Sequence, residues 1–290
     1  MLNRPPWLDK RIDRGACAAV ERLLAHLNLS TVCQQALCPN IGECFARNIA
    51  TFLILGRTCT RGCRFCGIRS GRTGDPPDYD EPGRIAEAVD HLGVRHIVIT
   101  SVTRDDLSDG GAAMFAATVR AIRQRTPEVA VEVLVPDFGG SEQAVDAVLD
   151  ARPNIFGHNV ETVPRLYPGI RTGAEYRRSL QVLRHASVAA PDIPVKSGVM
   201  VGLGETDDEV LAVMDDLRAA GCVFLSIGQY LAPGLSKFPV VEYVAPERFE
   251  RYRSEALARG FAFVASGPYV RSSYLADRYT APAAACAPGR

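Results

Sequence analysis

TFLILGRTCTRGCRFC, running from Thr51 to Cys66, joins a short apolar run to three cysteines spaced C-x3-C-x2-C. Thr51–Leu55 has the length and composition of a strand covered on both faces, and Gly56 marks its end. Working outward, five further apolar runs follow at regular intervals: His96–Val102, Ala130–Val135, Ile155–Val160, Val195–Val201 and Val223–Gln229. Helical patterns lie at Pro82–Leu92, Gly110–Gln124, Ser141–Ala151, Ala174–Ala186, Asp207–Ala220 and Pro246–Arg259, bounded by Gly, Pro, Asp or Asn. Six strand-then-helix units predict an α/β fold, a parallel sheet with helices outside it. Polar residues gather at the C-terminal strand ends, in Thr100 to Asp106, Pro136-Asp137, His158 to Glu161, Gly204 to Thr206 and Gln229-Tyr230. In a parallel barrel the loops of that end converge on one mouth.

The rest of the 290 residues frames this repeat. Residues 1–50 read as an N-terminal extension with one helix, about Arg14 to Leu27, and 51–262 as the barrel. After Pro268 the periodicity fades, so 263–290 read as a tail. The 33 basic and 33 acidic side chains cancel, which argues against a nucleic-acid binder acting through bulk charge. No stretch approaches the ~20 apolar residues of a membrane span. The opening MLNRPPWLDKRIDRG has no apolar targeting segment. These features lead to an expectation of a cytoplasmic chain without nucleic-acid or membrane partners.

Nine cysteines then carry the chemistry. Cys59, Cys63 and Cys66 sit on one tight loop, and three thiolates there each suit one iron of a cubane, leaving the fourth iron open to a small molecule. Arg57, Arg61, Arg64 and Arg69 crowd the same segment and are expected to offset the negative charge of such a cluster. A structural zinc site is disfavoured, because closed zinc sites usually show two C-x2-C or Cys/His pairs and only one C-x2-C is present. A second triplet, Cys33, Cys38 and Cys44, is spaced C-x4-C-x5-C on the other side of Thr51–Leu55. It suits a second cluster; the alternative is one structural site pooling all six thiols. Cys17, Cys222 and Cys286 match no motif and read as free thiols.

The C-x3-C-x2-C loop after a first strand resembles the radical S-adenosylmethionine (SAM) superfamily. CPNIGEC with CTRGCRFC, followed by SGVMVGLGE, GQYL and RSSY, looks like the lipoyl synthase family, over a span from about Trp7 to Asp277. The resemblance implies a partial (β/α)6 TIM-like barrel with N-terminal and C-terminal extensions, two four-iron, four-sulfur (4Fe-4S) clusters, and SAM. By similarity Cys59, Cys63 and Cys66 hold the cluster that cleaves SAM to a 5′-deoxyadenosyl radical. Cys33, Cys38 and Cys44 match the ligands of an auxiliary cluster consumed as sulfur donor. The fourth auxiliary ligand is a serine of RSSY, assigned to Ser273 with Ser272 adjacent. Thr100 and Ser101 fit the turn that meets the methionine moiety, Asn159 and Glu161 a position near the ribose, and Lys196 and Ser197 the fifth strand before the Gly198–Glu205 turn. Arg104-Asp105-Asp106 equally suits a salt-linked loop, and Asp137 and Tyr230 suit capping or packing.

The implied reaction inserts two sulfur atoms, at C6 and C8, into an octanoyl chain borne on a lysine of a lipoyl carrier domain. The carriers are those of 2-oxoacid dehydrogenases (E2) or the glycine-cleavage H protein, with ferredoxin or flavodoxin as reductant. Two departures stand out. Ser236-Lys237-Phe238-Pro239-Val240 replaces a usual His-containing segment, and Leu275 follows RSSY where basic residues or His are common. The rivals are another radical SAM sulfur-inserting enzyme, a paralogue with a different acyl substrate, an iron–sulfur electron carrier, and a zinc protein.

Overall fold

A computed structural model describes residues 3–9, 15–47, 49–274 and 276–279. The described residues fall into two compact units, one drawn from Lys10–Gly62 and Cys66–Asn154, the other from Met1–Asp9, Cys63–Phe65 and Ile155–Arg290. Arg14, Leu275 and Cys286, named above, lie outside the described residues.

The first unit opens with three helices, α1 (Ala18–His26), α2 (Val32–Gln35) and α3 (Ile41–Ala46). Strand β1 (Thr51–Ile54) follows, then a short parallel pair, β2 (Thr58–Cys59) with β3 (Arg69–Ser70). Helix α4 (Glu81–Leu92), β4 (His96–Ser101), α5 (Ala112–Arg125), β5 (Ala130–Leu134) and α6 (Glu142–Leu149) complete it. β4 pairs in parallel with β1, Thr51 opposite Val98, and with β5, His96 opposite Ala130. Phe52, Ile54, Ile97, Ile99, Val131 and Val133 are buried in these strands, and Ile85, Val89, Phe115 and Ile122 come from the helices. Removing this apolar surface from water is what holds the strands and helices together. Gly93, left-handed at φ 61°, ends α4, and the Ser141 hydroxyl caps α6 by accepting from the Ala144 N–H at 3.2 Å.

The second unit runs β6 (Ile155–Gly157), α7 (Tyr167–Ile170), α8 (Tyr176–Ala189), β7 (Val195–Val201), α9 (Asp207–Ala219), β8 (Cys222–Gln229), α10 (Pro246–Ala258) and β9 (Phe263–Gly267). All neighbouring pairs in the order β6-β7-β8-β9 are parallel. A capping box starts α9: Thr206 accepts from the Glu209 N–H while the Glu209 carboxylate accepts from the Thr206 N–H.

Each of the six expected strands is present within a few residues, and so are the six expected helices. The β2–β3 pair and α7 were not expected, and two further features differ. Residues 263–267 form a seventh parallel strand of this α/β fold, where the sequence reads as tail. The cysteine-rich segment before β1 is also helical, in α2 and α3, too short for an amphipathic period to register. Among the described residues no helix is long and apolar enough to cross a membrane.

Candidate active site

The chain turns sharply from β1 into the C-x3-C-x2-C loop. Leu55 and Gly56 are both left-handed, at φ 67° and 91°. A Cβ on Gly56 would lie 2.6 Å from Asp75 Oδ2, so the turn requires glycine. Asp75 in turn accepts from the Arg57 N–H at 2.6 Å, and the buried Glu81 carboxylate accepts from the Leu55 N–H at 3.0 Å. Burial holds Glu81 above the ordinary carboxylate range against the lowering effect of that bond.

The loop itself is held from its second residue on. The Thr60 N–H donates to the Thr103 carbonyl at 3.0 Å. Arg61 donates to both oxygens of Asp105, at 2.7 Å each, and to both of Asp137, at 2.7 and 2.9 Å. Asp137 also caps the following turn by accepting from the Gly139 N–H at 3.1 Å. Arg104 pairs with Asp106 at 2.8 Å, so Arg104-Asp105-Asp106 is salt-linked. Two sulfurs in the loop accept backbone N–H groups, Cys59 from Arg61 and Cys66 from Ile68, each at 3.4 Å.

Cys63–Phe65 packs within the second unit. The Arg64 N–H donates to the Ile170 carbonyl at 2.8 Å, and its carbonyl accepts from the Phe238 N–H at 2.9 Å. The Arg64 guanidinium lies 5.2 Å from the Phe238 ring centre, a cation–π arrangement. Cys63 Sγ lies 4.0 Å from the Thr172 carbonyl.

The four arginines of this segment all have partners within the protein. Arg61 is matched by two carboxylates, Arg69 lies 3.6 Å from Asp75, Arg57 donates to Ser30 at 2.8 Å, and Arg64 covers Phe238. Their donors serve to shape the loop.

In the second triplet, Cys33 lies in α2, whose N-cap Thr31 accepts from the Gln34 N–H at 3.4 Å. The Cys38 N–H donates to the Cys33 carbonyl at 3.0 Å, and Cys44 lies in α3 with its N–H on Asn40 at 2.9 Å. Burial, reinforced by the neighbouring Cys38, pushes the Cys33 thiol up to about 12. All six cysteines are free thiols.

The polar strand ends divide between the units. Thr100 donates to the Leu134 carbonyl at 2.8 Å, whereas the buried Ser101 hydroxyl has no hydrogen-bond partner among the described residues. In the second unit Ser197 accepts from the Val160 N–H at 3.3 Å, and Lys196 is buried with its ammonium 3.5 Å from the Tyr279 ring centre. Asn159 Nδ2 donates to Glu161 Oε1 at 3.2 Å and to Ser272 Oγ at 2.5 Å. Burial holds the Glu161 carboxyl above its ordinary range, with Arg171 and Asn159 acting against the shift.

The family model described as the radical SAM superfamily matches residues 53–217. The lipoyl synthase of Trichlorobacter lovleyi is 58% identical over 277 residues, covering 96% of this chain and 98% of that protein. That of Geobacter metallireducens is 57% identical over 279 residues, covering 96% and 98%. The chain belongs to the lipoyl synthase family. Two solved structures are similar in fold. The FeFe-hydrogenase maturase HydG has a TM-score of 0.58 at 14% identity, covering 85% of this chain and 65% of that one. Methylornithine synthase has a TM-score of 0.54 at 15% identity, covering 86% and 72%. The α/β class expected from the strand–helix alternation, and implied as a partial barrel by the resemblance, is thus the fold of the radical SAM enzymes. Enzymes of this family use SAM and iron–sulfur clusters, and a lipoyl synthase acts on lipoyl-carrier proteins in general.

The residues of this lipoyl synthase family member fit such groups. Free thiols with N–H···S bonds are the donor set that iron–sulfur clusters take, since those bonds stabilise thiolate. Among the described residues no three His, Cys, Asp or Glu side chains surround a point as ligands of one ion. A cubane is wider than one ion and takes each thiolate on a different iron. Sequence reasoning missed Arg171. Its Nη1 donates to the Asn159 carbonyl at 3.1 Å and to Tyr167 Oη at 2.8 Å, while its buried Nε has no hydrogen-bond partner among the described residues. Only its place twelve residues after Asn159, in an arginine-rich stretch, marked it in the sequence.

Proposed function

We propose that this chain inserts two sulfur atoms, at C6 and C8, into the octanoyl chain of an octanoyl-lysine on a lipoyl carrier domain. The observation that carries the reading is the pairing of two separate cysteine triplets, all free thiols, with family membership over nearly the whole chain. In this reading Cys59, Cys63 and Cys66 hold one 4Fe-4S cluster, and Cys33, Cys38 and Cys44 with Ser273 hold the other. When bound, the first cluster and SAM supply radical C–H cleavage and the second supplies sulfur.

The chain's own residues orient and exclude. Arg61, locked by Asp105 and Asp137, fixes the backbone that follows Cys59. Ser101, whose buried hydroxyl has no hydrogen-bond partner among the described residues, is a donor for the methionine moiety. Asn159 and Glu161 serve the ribose, with Lys196 and Ser197 supporting the strand beside them. Ser273 is the auxiliary ligand in this reading, a choice supported by the hydrogen bond that Ser272 accepts from Asn159. A serine oxygen is harder and more labile on iron than a thiolate, which suits a cluster that gives up sulfur. Residues 1–50 act as the extension that bears the auxiliary cysteines, 51–262 with the strand at 263–267 as the catalytic barrel, and the residues after that strand as the tail with RSSY. The carriers are E2 components of 2-oxoacid dehydrogenases or the glycine-cleavage H protein, the reductant is ferredoxin or flavodoxin, and the setting is the cytoplasm.

Anaerobic reconstitution with an octanoylated lysine peptide, SAM and dithionite tests this. Gain of two sulfurs with matching release of 5′-deoxyadenosine supports it. SAM cleavage without sulfur gain points instead to a paralogue with another substrate.

A further inference from the structure

The Asn159 carboxamide links two segments 113 positions apart in the chain. Its Nδ2 carries two protons, and both are used, one on Glu161 Oε1 at 3.2 Å and one on Ser272 Oγ at 2.5 Å. With Nδ2 so placed, Oδ1 is left as the acceptor. That oxygen sits over the backbone of β7 at Gly198, where a Cβ would come within 2.8 Å of it. A side chain at 198 would therefore displace the amide. Glu161, the other anchor, is itself fixed. It is left-handed at φ 66°, a conformation that costs a non-glycine residue of order 1–2 kcal/mol, and is held by two backbone bonds to β7. Its N–H donates to the Gly198 carbonyl at 3.0 Å, and its carbonyl accepts from the Met200 N–H at 2.8 Å. On the far side the segment bearing Ser272 is a pair of turns, closed by Val270 N–H on Gly267 at 3.0 Å and Tyr274 N–H on Arg271 at 2.9 Å. The Ser272–Asn159 bond fastens that turn to the strand end.

We propose that Ser272 is a positioning residue with two effects: it sets the Asn159 amide so that Oδ1 accepts from a hydroxyl of the bound nucleoside, and it holds the adjacent Ser273 in place as a metal ligand. The inference rests on the reading above and adds a coupling between the two halves of the reaction. Occupancy at the nucleoside site and ligation by the C-terminal serine share one hydrogen bond, so loosening either loosens the other.

The test uses the anaerobically reconstituted full chain and three variants, Ser272→Ala, Ser272→Thr and Asn159→Ala. SAM dissociation constants are measured by equilibrium binding, and the auxiliary cluster is followed by Mössbauer and electron paramagnetic resonance spectroscopy. Ser272→Ala weakens SAM binding about two- to ten-fold, the range of one lost hydrogen bond, and the auxiliary cluster loses its serine-ligated iron on mild oxidation. Ser272→Thr keeps an acceptor oxygen and restores both readouts, which a merely structural contact would not do. Asn159→Ala reproduces the auxiliary-cluster change from the other end, and it serves alone if the alanine variant at 272 does not fold. Wild-type behaviour of either readout in Ser272→Ala, or of the auxiliary cluster in Asn159→Ala, overturns the proposal. A wild-type chain that holds only one cluster overturns the functional reading itself, so the two failures are distinguishable.

Discussion

Asp137, fully buried, receives two hydrogen bonds from Arg61, at 2.9 Å from Nη1 and 2.7 Å from Nη2, two residues beyond the first cysteine of the C-x3-C-x2-C loop. Arg61 is itself almost buried, so removing its partner leaves a desolvated guanidinium relying on the half-exposed Asp105. Asp137→Asn should cost about 2–3 kcal/mol in chemical denaturation of the metal-free chain, whereas Asp105→Asn should cost about 1 kcal/mol or less. Equal losses at the two positions would contradict the assignment of Asp137 as the buried anchor.

The two cysteine triplets should separate cleanly by phenotype. Cys33→Ala, Cys38→Ala or Cys44→Ala should still cleave SAM under strong reductant yet release no sulfur-containing product. Cys59→Ala, Cys63→Ala or Cys66→Ala should abolish both. Paired analysis of 5′-deoxyadenosine and product by mass spectrometry reads this directly.

Ser273→Cys should assemble the auxiliary cluster and stop turnover, because a thiolate binds iron more durably than an alkoxide. Full activity in this variant would sink the role given to the serine oxygen.

Glu161 sets a pH dependence of stability. Its folded-state value is raised by burial above the unfolded value, so the native state holds the proton more tightly. The stability it contributes is fully present below the unfolded value and is lost as pH rises through the folded one. Glu161→Gln should therefore flatten the decline of metal-free stability above about pH 4. A decline of unchanged slope would refute the assignment.

Phe238→Leu keeps an apolar side chain and removes the cation–π contact with Arg64. Thermal unfolding should show a loss of about 0.5–1 kcal/mol. A neutral result would show that the backbone bond from Phe238 to Arg64 suffices to hold the loop.

The parts legible in the sequence were those written in local patterns. β1, β4 and β8 are continuous apolar runs that carry their own signal, and the cysteine spacings mark out the two triplets on which the proposal rests. β9 was not legible because Phe-Val-Ala-Ser-Gly is short and ends in small residues, so only pairing along β8 reveals it as a strand. The fate of the arginines was equally hidden. Nothing near Arg61 says that its partners lie 44 and 76 residues away. Ser272 followed the same rule: the sequence offers two adjacent serines, and nothing in it says that one of them bonds Asn159, 113 positions away.

The most direct test follows the sulfur. With the Cys33, Cys38 and Cys44 cluster rebuilt from heavy-isotope sulfide, a single turnover should place the label in the octanoyl-derived product, and a variant lacking those cysteines should yield none. An unlabelled sulfur-containing product from the labelled enzyme would contradict the account.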